Sequence, residues 1–442
     1  MAVDLPLTRH ARLDAMLGIT ESGPVTVERY LLDVTGLSEL LPPHRHIVNL
    51  CSDRYRFAVA LGAALIREQV SLMPQSDAAG MLSQLAVEFD DVYCLHDGPE
   101  RAFGIPSVAY PARVGTQHSL TIPCFSENQP AVMLFTSGST GRPIPHLKSW
   151  GCLVRSTLAA GRALAISEIP GATIVGTVPQ QHSYGFESTV MLALQNGLTL
   201  HHARPFYPAD VAAIIEATSR PRVLVTTPFH LRAILADPER LPFVDLVISA
   251  TASLAPELAA EAENRLGTRL IEIYGCSEAG QLALRRTIDG DEWRCFDGVV
   301  LKQDAAGSWA SGAPVEGEVL LGDIIELTGP GRFRLHGRTA DLVTIAGKRT
   351  SLAYLNHQLN SIQGVRDGVF ILPEQTANRI TRLMAFVVAP GLSSEAIVAA
   401  LRQRIDPAFL PRPLRLVDAL PRNITGKLPR DAIVHFTKSK AK

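Results

Sequence analysis

Short apolar runs alternate with amphipathic, alanine-rich segments through the middle of the chain, and this alternation predicts an α/β protein. Four of the runs predict buried strands that end in Gly, Pro or small-residue turns, at 172–179, 222–228, 244–250 and 269–275. The segments between them predict helices at 186–197, 208–219, 229–237 and 255–267. Ligands of such sheets bind beyond the carboxyl ends of the strands, so we expect the site at the small-residue turns.

The pattern changes towards the C-terminus. From about Gly298 the chain predicts short strands joined by Gly and Asp turns, and after Arg338 a second, smaller set of strands and helices follows. A chain of 442 residues is also too long for one compact core. We therefore predict an α/β fold with a large N-terminal domain of mixed and parallel sheets flanked by helices, residues 1–337, and a small mobile α+β lid, residues 338–442.

Composition narrows the class of protein. The chain is 46% hydrophobic and 19% charged, which is typical of a globular protein and argues against disorder. No apolar segment reaches the roughly 18 residues of a membrane span, and the N-terminus does not resemble a signal peptide. The six cysteines lack metal-binding spacing, so we expect reduced core thiols and a cytoplasmic protein.

The charge is divided unevenly along the chain. Residues 338–442 hold 16 Lys and Arg against 7 Asp and Glu, a balance of +9, so the remaining residues hold 26 against 36, a balance of −10. A basic C-terminal domain on an acidic body favours an anionic partner, although it is equally compatible with simple solvation. Nucleic acid is not expected, because the arginines are not interleaved with aromatic residues.

The stretch AVMLFTSGSTGRPIPHLKSW, residues 131–150, holds the first candidate chemistry. An apolar run is followed by Thr136, Ser137, Gly138, Ser139, Thr140 and Gly141. The two glycines allow the backbone to approach a ligand closely, and the hydroxyls add donors to the backbone amides, so the segment predicts a phosphate-binding loop. It is not a Walker A loop, since no Gly-Lys pair is followed by Ser or Thr.

Further motifs follow in order along the chain: VPQQHSYGFE (178–187), SATASLAPEL (249–258), YGCSEAG (274–280), GDIIEL (322–327), GRTADLVTIAGKR (337–349) and LPRNITGKLPR (420–430). Together with the loop, they resemble the adenylate-forming superfamily of acyl- and aryl-CoA synthetases, peptide-synthetase adenylation domains and luciferases. The resemblance covers roughly residues 130–430. It implies a ligase that converts ATP and a carboxylic acid into an acyl-adenylate and pyrophosphate, and then transfers the acyl group to a thiol.

The resemblance also implies roles for individual residues. The loop from Thr136 to Gly141 would hold the β- and γ-phosphates, and Tyr274, Gly275 and Ser277 would line the adenine site. Asp323 would bind the ribose hydroxyls and Arg338 would lie at the domain junction. Glu278 would bind Mg²⁺, as suits an oxygen ligand and a hard cation. The lid would insert Lys427 beside the α-phosphate, and His182 would gate the tunnel between carboxylate and thiol. The acid pocket would be lined near 182–186, 226–230 and 250–254.

Two positions depart from the family pattern. The usual loop continues with Pro-Lys-Gly, whereas here Pro143 is followed by Ile144, Pro145 and His146. Lys148 is the nearest substitute, but the sequence does not show which way it points. Ala340 occupies the usual hinge position, so lid rotation is expected to pivot differently.

The short N-terminal region and the SGSTGxPxPxxK pattern most resemble the stand-alone ligases of bacterial aryl-polyene pigment clusters. That resemblance implies an aromatic or fatty acid substrate and transfer to the phosphopantetheine of an acyl carrier protein, with free CoA as the main rival acceptor. A non-catalytic regulatory protein that binds nucleotide or acyl-adenylate is the alternative from another class. A luciferase-like oxygenase is a remote third.

Overall fold

The structure is a computed structural model, and it describes residues 3–74, 77–112, 121–137, 143–236, 241–338, 342–345, 348–372, 382–422 and 428. The helices of these residues are α1 (Val27–Leu40), α2 (Arg54–Ile66), α3 (Ala79–Glu88), α4 (Trp150–Ala163), α5 (Ser183–Gly185), α6 (Leu192–Asn196), α7 (Pro208–Ala217), α8 (Pro228–Ala236), α9 (Pro256–Leu266), α10 (Leu352–Asn360) and α11 (Ser394–Arg402). A π-helical stretch, Phe186–Met191, joins α5 to α6.

The strands from the first half of the chain are β1 (Asp4–Pro6), β2 (Met16–Thr20), β3 (Gly23–Thr26), β4 (His46–Asn49), β5 (Val70–Met73), β6 (Val92–His96), β7 (Ser107–Ala109), β8 (Cys124–Ser126), β9 (Pro130–Ser137), β10 (Pro143–Ser149), β11 (Thr173–Gly176), β12 (Thr199–His201) and β13 (Arg222–Thr226). Those from the second half are β14 (Leu246–Ser249), β15 (Leu270–Cys276), β16 (Gly280–Arg285), β17 (Glu292–Cys295), β18 (Val299–Asp304), β19 (Gly307–Gly312), β20 (Val319–Leu321), β21 (Asp323–Gly329), β22 (Arg332–Arg338), β23 (Leu342–Ile345), β24 (Lys348–Ser351), β25 (Asp367–Ile371), β26 (Met384–Val388) and β27 (Leu414–Leu416).

Two large sheets form the body of the protein. One has six strands in the order β10-β9-β5-β4-β6-β7, and the other has eleven in the order β21-β22-β17-β16-β15-β14-β13-β11-β12-β2-β3. The four predicted strands β11, β13, β14 and β15 are parallel neighbours in the larger sheet. Apolar side chains of both sheets and of α1, α2 and α4 share one buried cluster, so the predicted large domain of mixed sheets flanked by helices is confirmed.

The predicted helix starts and stops have a clear local basis. Helix α9 begins at Pro256, where a missing amide proton costs nothing because the first turn has no intrahelical acceptor for it. It ends before Gly267, whose φ of 67° is the left-handed conformation that glycine adopts without strain. The predicted helix at 186–197 is also present, but it follows directly on α5 and is π-helical over Phe186–Met191 before it continues as α6.

The residues after β22 form a smaller unit. Strands β25, β26 and β27 make a three-stranded sheet that packs with α10 and α11 around a separate apolar cluster. Ser351 Oγ donates to the carbonyl of His336 in β22, so the two units touch there. The division at 337/338 falls at the end of β22 and stays a prediction, as does the mobility of the lid.

Candidate active site

The predicted phosphate loop connects β9 to β10. These strands form an antiparallel hairpin in which Ser137 lies opposite Pro143. Thr136, one residue earlier on β9, has its Oγ1 2.8 Å from Nε2 of His146 on β10. The remaining predicted loop residues, Gly138, Ser139, Thr140 and Gly141, lie outside the described residues.

The turn between β15 and β16 holds the next group of predicted residues. β15 carries Tyr274 and Gly275 at an irregular point of its pairing with β16, and Ser277 and Glu278 follow in the turn. A Cβ on Gly275 would lie 2.4 Å from the carbonyl oxygen of Gly280. The close approach of the two strands therefore requires glycine here, while the backbone of Gly275 stays exposed.

Two residues that are far apart in the sequence are brought together at the next strand. The hydroxyl of Tyr274 donates to Oδ2 of Asp323 at 2.8 Å. The Tyr274 ring is 7% exposed and packs against Trp293 and Phe333 at centroid distances of 5.7 and 5.4 Å. The hydroxyl thus orients a half-buried carboxylate, and β21 pairs Asp323 with Arg338 of β22.

Glu278, in the turn after β15 of the larger sheet, lies close to the β9–β10 hairpin of the six-stranded sheet. Its Oε1 lies 4.0 Å from Nε2 of His146, and its side chain is 36% exposed. Burial lowers the pKa of His146, the carboxylate of Glu278 opposes that shift, and the charge of Lys148 adds to it. A partly exposed carboxylate whose contact with His146 is as long as 4.0 Å fits one ligand of a magnesium ion that keeps water and phosphate as its other ligands.

Lys148 does not reach into solvent. Its side chain is 2% exposed, and Nζ donates to the backbone carbonyl of Glu278 at 2.5 Å. Glu187 of the π-helical stretch is also buried; it accepts from Ser183 Oγ at 2.7 Å and from the amide of Gln281 at 3.2 Å. Burial raises the pKa of Glu187, and both the hydrogen bond from Ser183 and the charge of Lys148 oppose the shift.

The two remaining predicted catalytic residues are placed differently. His182 is half-buried and directly precedes α5, where its carbonyl accepts from the amide of Phe186. Lys427 lies outside the described residues. Its neighbour Leu428 packs against apolar residues of the three-stranded sheet of the small unit.

Polar groups line the carboxyl ends of three neighbouring strands. Thr177 Oγ1 lies 3.0 Å from Thr226 Oγ1, and the register of β13 and β14 places Thr226 beside Ser249. Nδ1 of His230 lies 3.1 Å from the hydroxyls of both Thr177 and Thr227. Within the described part of the chain, the buried atoms His230 Nε2 and Ser249 Oγ have no hydrogen-bond partner.

Sequence reasoning missed the roles of His146 and Glu187 and left the direction of Lys148 open. A usable signal exists for β10: His146 and Lys148 are two residues apart, so a strand over PIPHLKS places both on one face. No pattern in the sequence indicates the role of Glu187, because the position of a glutamate in an apolar helical segment does not show which groups surround it in the fold.

One arginine of the basic C-terminal unit does not fit the predicted surface for an anionic partner. The anionic-partner prediction rests on the excess positive charge of residues 338–442, to which six arginines near Lys427 contribute: Arg402, Arg404, Arg412, Arg415, Arg422 and Arg430. Arg422 instead donates to both carboxylate oxygens of Asp367 at 2.6 and 2.7 Å, in a half-buried pair. A bidentate pair of this kind fixes the guanidinium within the unit, so Arg422 is excluded from such a surface.

The described residues can also be compared with the expectations on membrane spans, metal clusters and cysteines. In these ranges no helix is long and apolar enough to cross a bilayer, and no group of three His, Cys, Asp or Glu side chains has the geometry of a metal site. All six cysteines are free thiols, although Cys124 is exposed rather than part of the core.

Comparison with known proteins gives a family and several relatives. Residues 15–305 match the family described as AMP-binding enzyme. A 4-coumarate–CoA ligase from Rhodobacter capsulatus is 29% identical over 322 residues, which cover 70% of this chain and 78% of that protein. A 3-hydroxybenzoate–CoA/4-hydroxybenzoate–CoA ligase from Thauera aromatica is 23% identical over 438 residues, or 85% of this chain and 83% of the relative.

Solved structures show the same fold. ATP-bound MatB from Rhodopseudomonas palustris superposes with a TM-score of 0.83 at 16% identity, covering 99% of this chain and 100% of that one. The o-succinylbenzoate CoA synthetase MenE from Bacillus subtilis, in complex with ATP and a magnesium ion, also gives 0.83 at 16% identity, covering 97% and 99%.

Proposed function

Because the chain belongs to the AMP-binding enzyme family, the adenylate-forming superfamily that includes aryl- and acyl-CoA ligases, we propose that it is an ATP-dependent acid–thiol ligase. It joins a carboxylic acid to AMP with release of pyrophosphate, and then transfers the acyl group to a thiol. The observation that carries the proposal is the approach of Glu278 to the β9–β10 hairpin, 4.0 Å from His146. This approach supports a site at which the proposed phosphate loop, between β9 and β10, and the proposed metal ligand act together.

The nucleotide is proposed to bind along the ends of β9, β15 and β21. Thr136 and the loop Ser137–Gly141 hold the phosphates, while Tyr274, Gly275 and Ser277 line the base. The Asp323 carboxylate accepts from the ribose hydroxyls, and its hydrogen bond from Tyr274 keeps it oriented for that contact. Arg338 acts beside it at the domain junction.

Magnesium is proposed to bind through Glu278, together with the phosphates of ATP. The partly exposed carboxylate supplies the anionic oxygen that this cation prefers. The chemistry that the ion supplies is neutralisation of phosphate charge during the attack of the carboxylate on the α-phosphate.

Residues 338–442 are proposed to act as the lid, which inserts Lys427 at the reacting groups. A carboxylate and a phosphate repel each other, so a cation placed between them lowers the barrier only if it is held there during the reaction. His182 is proposed to gate the path along which the thiol reaches the acyl group.

The acid is proposed to be aromatic rather than fatty. The 4-coumarate and hydroxybenzoate ligases among the relatives support an aryl acid. The unpartnered His230 Nε2 and Ser249 Oγ favour an acid with a hydrogen-bonding substituent, because buried polar groups are normally satisfied. The finer proposal is a ligase of aryl-polyene pigment biosynthesis that loads an acyl carrier protein, with CoA as the rival acceptor.

The decisive experiment measures pyrophosphate release from ATP with a panel of hydroxylated aryl, plain aryl and fatty acids. We expect release with at least one aryl acid, followed by transfer to CoA or to a holo carrier protein. Binding of ATP without pyrophosphate release for any acid would favour the non-catalytic nucleotide-binding alternative.

The variant Lys427→Ala tests the lid within the same assay. The loss of one preorganised charge should lower the rate of pyrophosphate release by about 10²–10³, while ATP binding and the melting temperature stay close to wild type. A rate close to wild type would remove Lys427 from the mechanism.

A further inference from the structure

Lys148 is a buried cation that the proposed reaction does not use. Its side chain is 2% exposed, and its ammonium donates to the carbonyl of Glu278. No carboxylate of the described residues lies within ion-pair distance of it, and its charge opposes the rise in the pKa of the buried Glu187. A lysine loses much hydration when it is buried in this way, so a specific contact must compensate.

Strand β10 contacts Glu278 twice. Lys148 binds its backbone carbonyl, while His146, two residues earlier on the same face of the strand, lies 4.0 Å from its carboxylate. The carbonyl of Glu278 is thereby held towards the protein interior, with the carboxylate beside the hairpin. The neighbouring Ala279 is 0% exposed, so the turn is anchored on that side as well.

We propose that Lys148 is a positioning residue for Glu278, which holds the β15–β16 turn so that the carboxylate faces the β9–β10 hairpin. The inference rests on the proposed function, in which Glu278 binds magnesium and the hairpin carries the phosphate loop. The family pattern has a lysine directly after the loop proline, and this chain has Ile144 there instead. We infer that Lys148 of β10 takes its place, and that it acts on the backbone of Glu278 rather than on the loop.

Glu187 is a second buried charge-bearing group near this contact, and the charge of Lys148 opposes the rise in its pKa. Its carboxylate is fixed by Ser183 and by the amide of Gln281, the second residue of β16. The buried carboxylate therefore contacts the strand that follows the turn. Removal of Lys148 alone would leave Glu187 as an uncompensated buried charge, which is a cause of misfolding unrelated to magnesium.

Five variants separate these effects: Lys148→Met, the double variant Lys148→Met/Glu187→Gln, Glu278→Gln, the triple variant that combines the last two, and the exposed-lysine control Lys302→Met on β18. The double variant removes both buried charges, so neither is left uncompensated. It also removes the ammonium that donates to the carbonyl of Glu278. Binding of ATP without acid is measured by titration calorimetry over a series of Mg²⁺ concentrations, and pyrophosphate release is measured over the same series.

We expect the double variant to fold and to need about 10–100-fold more Mg²⁺ for half-maximal ATP affinity, as is typical when a contact that orients a metal ligand is lost. Glu278→Gln should show a similar requirement, and Lys302→Met should match wild type. Adding Lys148→Met/Glu187→Gln to Glu278→Gln should raise the requirement no further, because Lys148 acts through that carboxylate.

The outcomes distinguish the two levels of inference. Wild-type protein that neither binds ATP in a Mg²⁺-dependent manner nor releases pyrophosphate would overturn the proposed function. A wild type that does both, with a double variant of unchanged Mg²⁺ requirement, would overturn the role of Lys148 alone. Additive effects with Glu278→Gln would also overturn it, since they would indicate a general loss of structure.

Discussion

At the scale of single residues, the buried His230 makes stability depend on pH. Burial lowers its pKa to about 4, and the positive charge of Arg204 acts in the same direction. The unfolded chain binds a proton as the pH falls below about 6.5, whereas the folded protein does not until about 4. The stability that neutral His230 contributes is therefore fully present above pH 6.5 and is lost as the pH falls towards 4, by at most about 3 kcal/mol.

The variant His230→Gln should lose less stability than wild type between pH 7 and pH 5, because glutamine does not titrate. The free energy of unfolding from urea titrations at the two pH values measures this difference. The exposed His336 provides the control substitution His336→Gln. An unchanged pH dependence in His230→Gln would mean that the native site protonates as readily as the unfolded chain.

Site residues could be predicted from the sequence only where they belong to a recognisable motif. The sequence pointed to Tyr274, Glu278 and Asp323, and the structure brings Tyr274 into hydrogen-bond contact with Asp323. It did not point to the contact between Lys148 and Glu278, which joins residues 130 positions apart. Such a contact depends on how two sheets pack, and local periodicity contains no information about that packing.

At the scale of elements, the β15–β16 hairpin depends on Gly275. Alanine there would place a Cβ 2.4 Å from the carbonyl oxygen of Gly280 and 2.9 Å from Cα of Gln281. Both are backbone atoms, so the strands must separate, and the turn that carries Glu278 must move with them. We expect Gly275→Ala to lower the free energy of unfolding by about 1–3 kcal/mol and to weaken ATP binding.

The control for this prediction is Gly329→Ala at the end of β21, where a Cβ meets nothing within 4 Å. Denaturant unfolding and ATP titration of both variants measure the two effects. Gly275→Ala with the ATP affinity of wild type would show that the hairpin does not limit the site.

Element types were predictable because burial imposes simple periods. The apolar run at 244–250 became β14, Leu246–Ser249, and the Pro and Gly limits of 255–267 became the ends of α9. The start of the segment at 186–197 was predicted only as helix, whereas it is π-helical from Phe186 to Met191. Apolar spacing alone does not distinguish the two helix types over such a short stretch.

At the scale of the whole molecule, the α/β class and the order of elements followed from the sequence, but the arrangement of the two large sheets did not. Hydrophobic patterns identify which face of an element is buried, not which other element covers it. The separate apolar cluster of the small unit explains why its sequence pattern was distinct, since it buries its own core. The charge asymmetry is also a property at this scale, and it supports the proposed acceptor.

The basic C-terminal unit should direct an acidic carrier protein towards the active site in preference to free CoA. Among the described arginines, Arg402 and Arg412 are exposed, whereas Arg422 is held by Asp367. Surface charges of this kind act mainly on the association rate and are screened by salt. The double reversal Arg402→Glu/Arg412→Glu should therefore slow transfer to a holo carrier protein on the order of tenfold at low salt, and leave pyrophosphate release unchanged.

The matched control is Arg294→Glu, at an exposed position on β17 of the large domain. Its transfer rate should equal that of wild type. Arg402 lies in the last turn of α11, so its reversal weakens that helix slightly. Melting temperatures therefore check that all variants are folded. Stopped-flow transfer measured over a range of salt concentrations gives the association rate directly. Preference for free CoA at equal concentration, or transfer that does not respond to salt, would reject the carrier protein as acceptor while leaving the adenylation step untouched, since that step involves only small molecules.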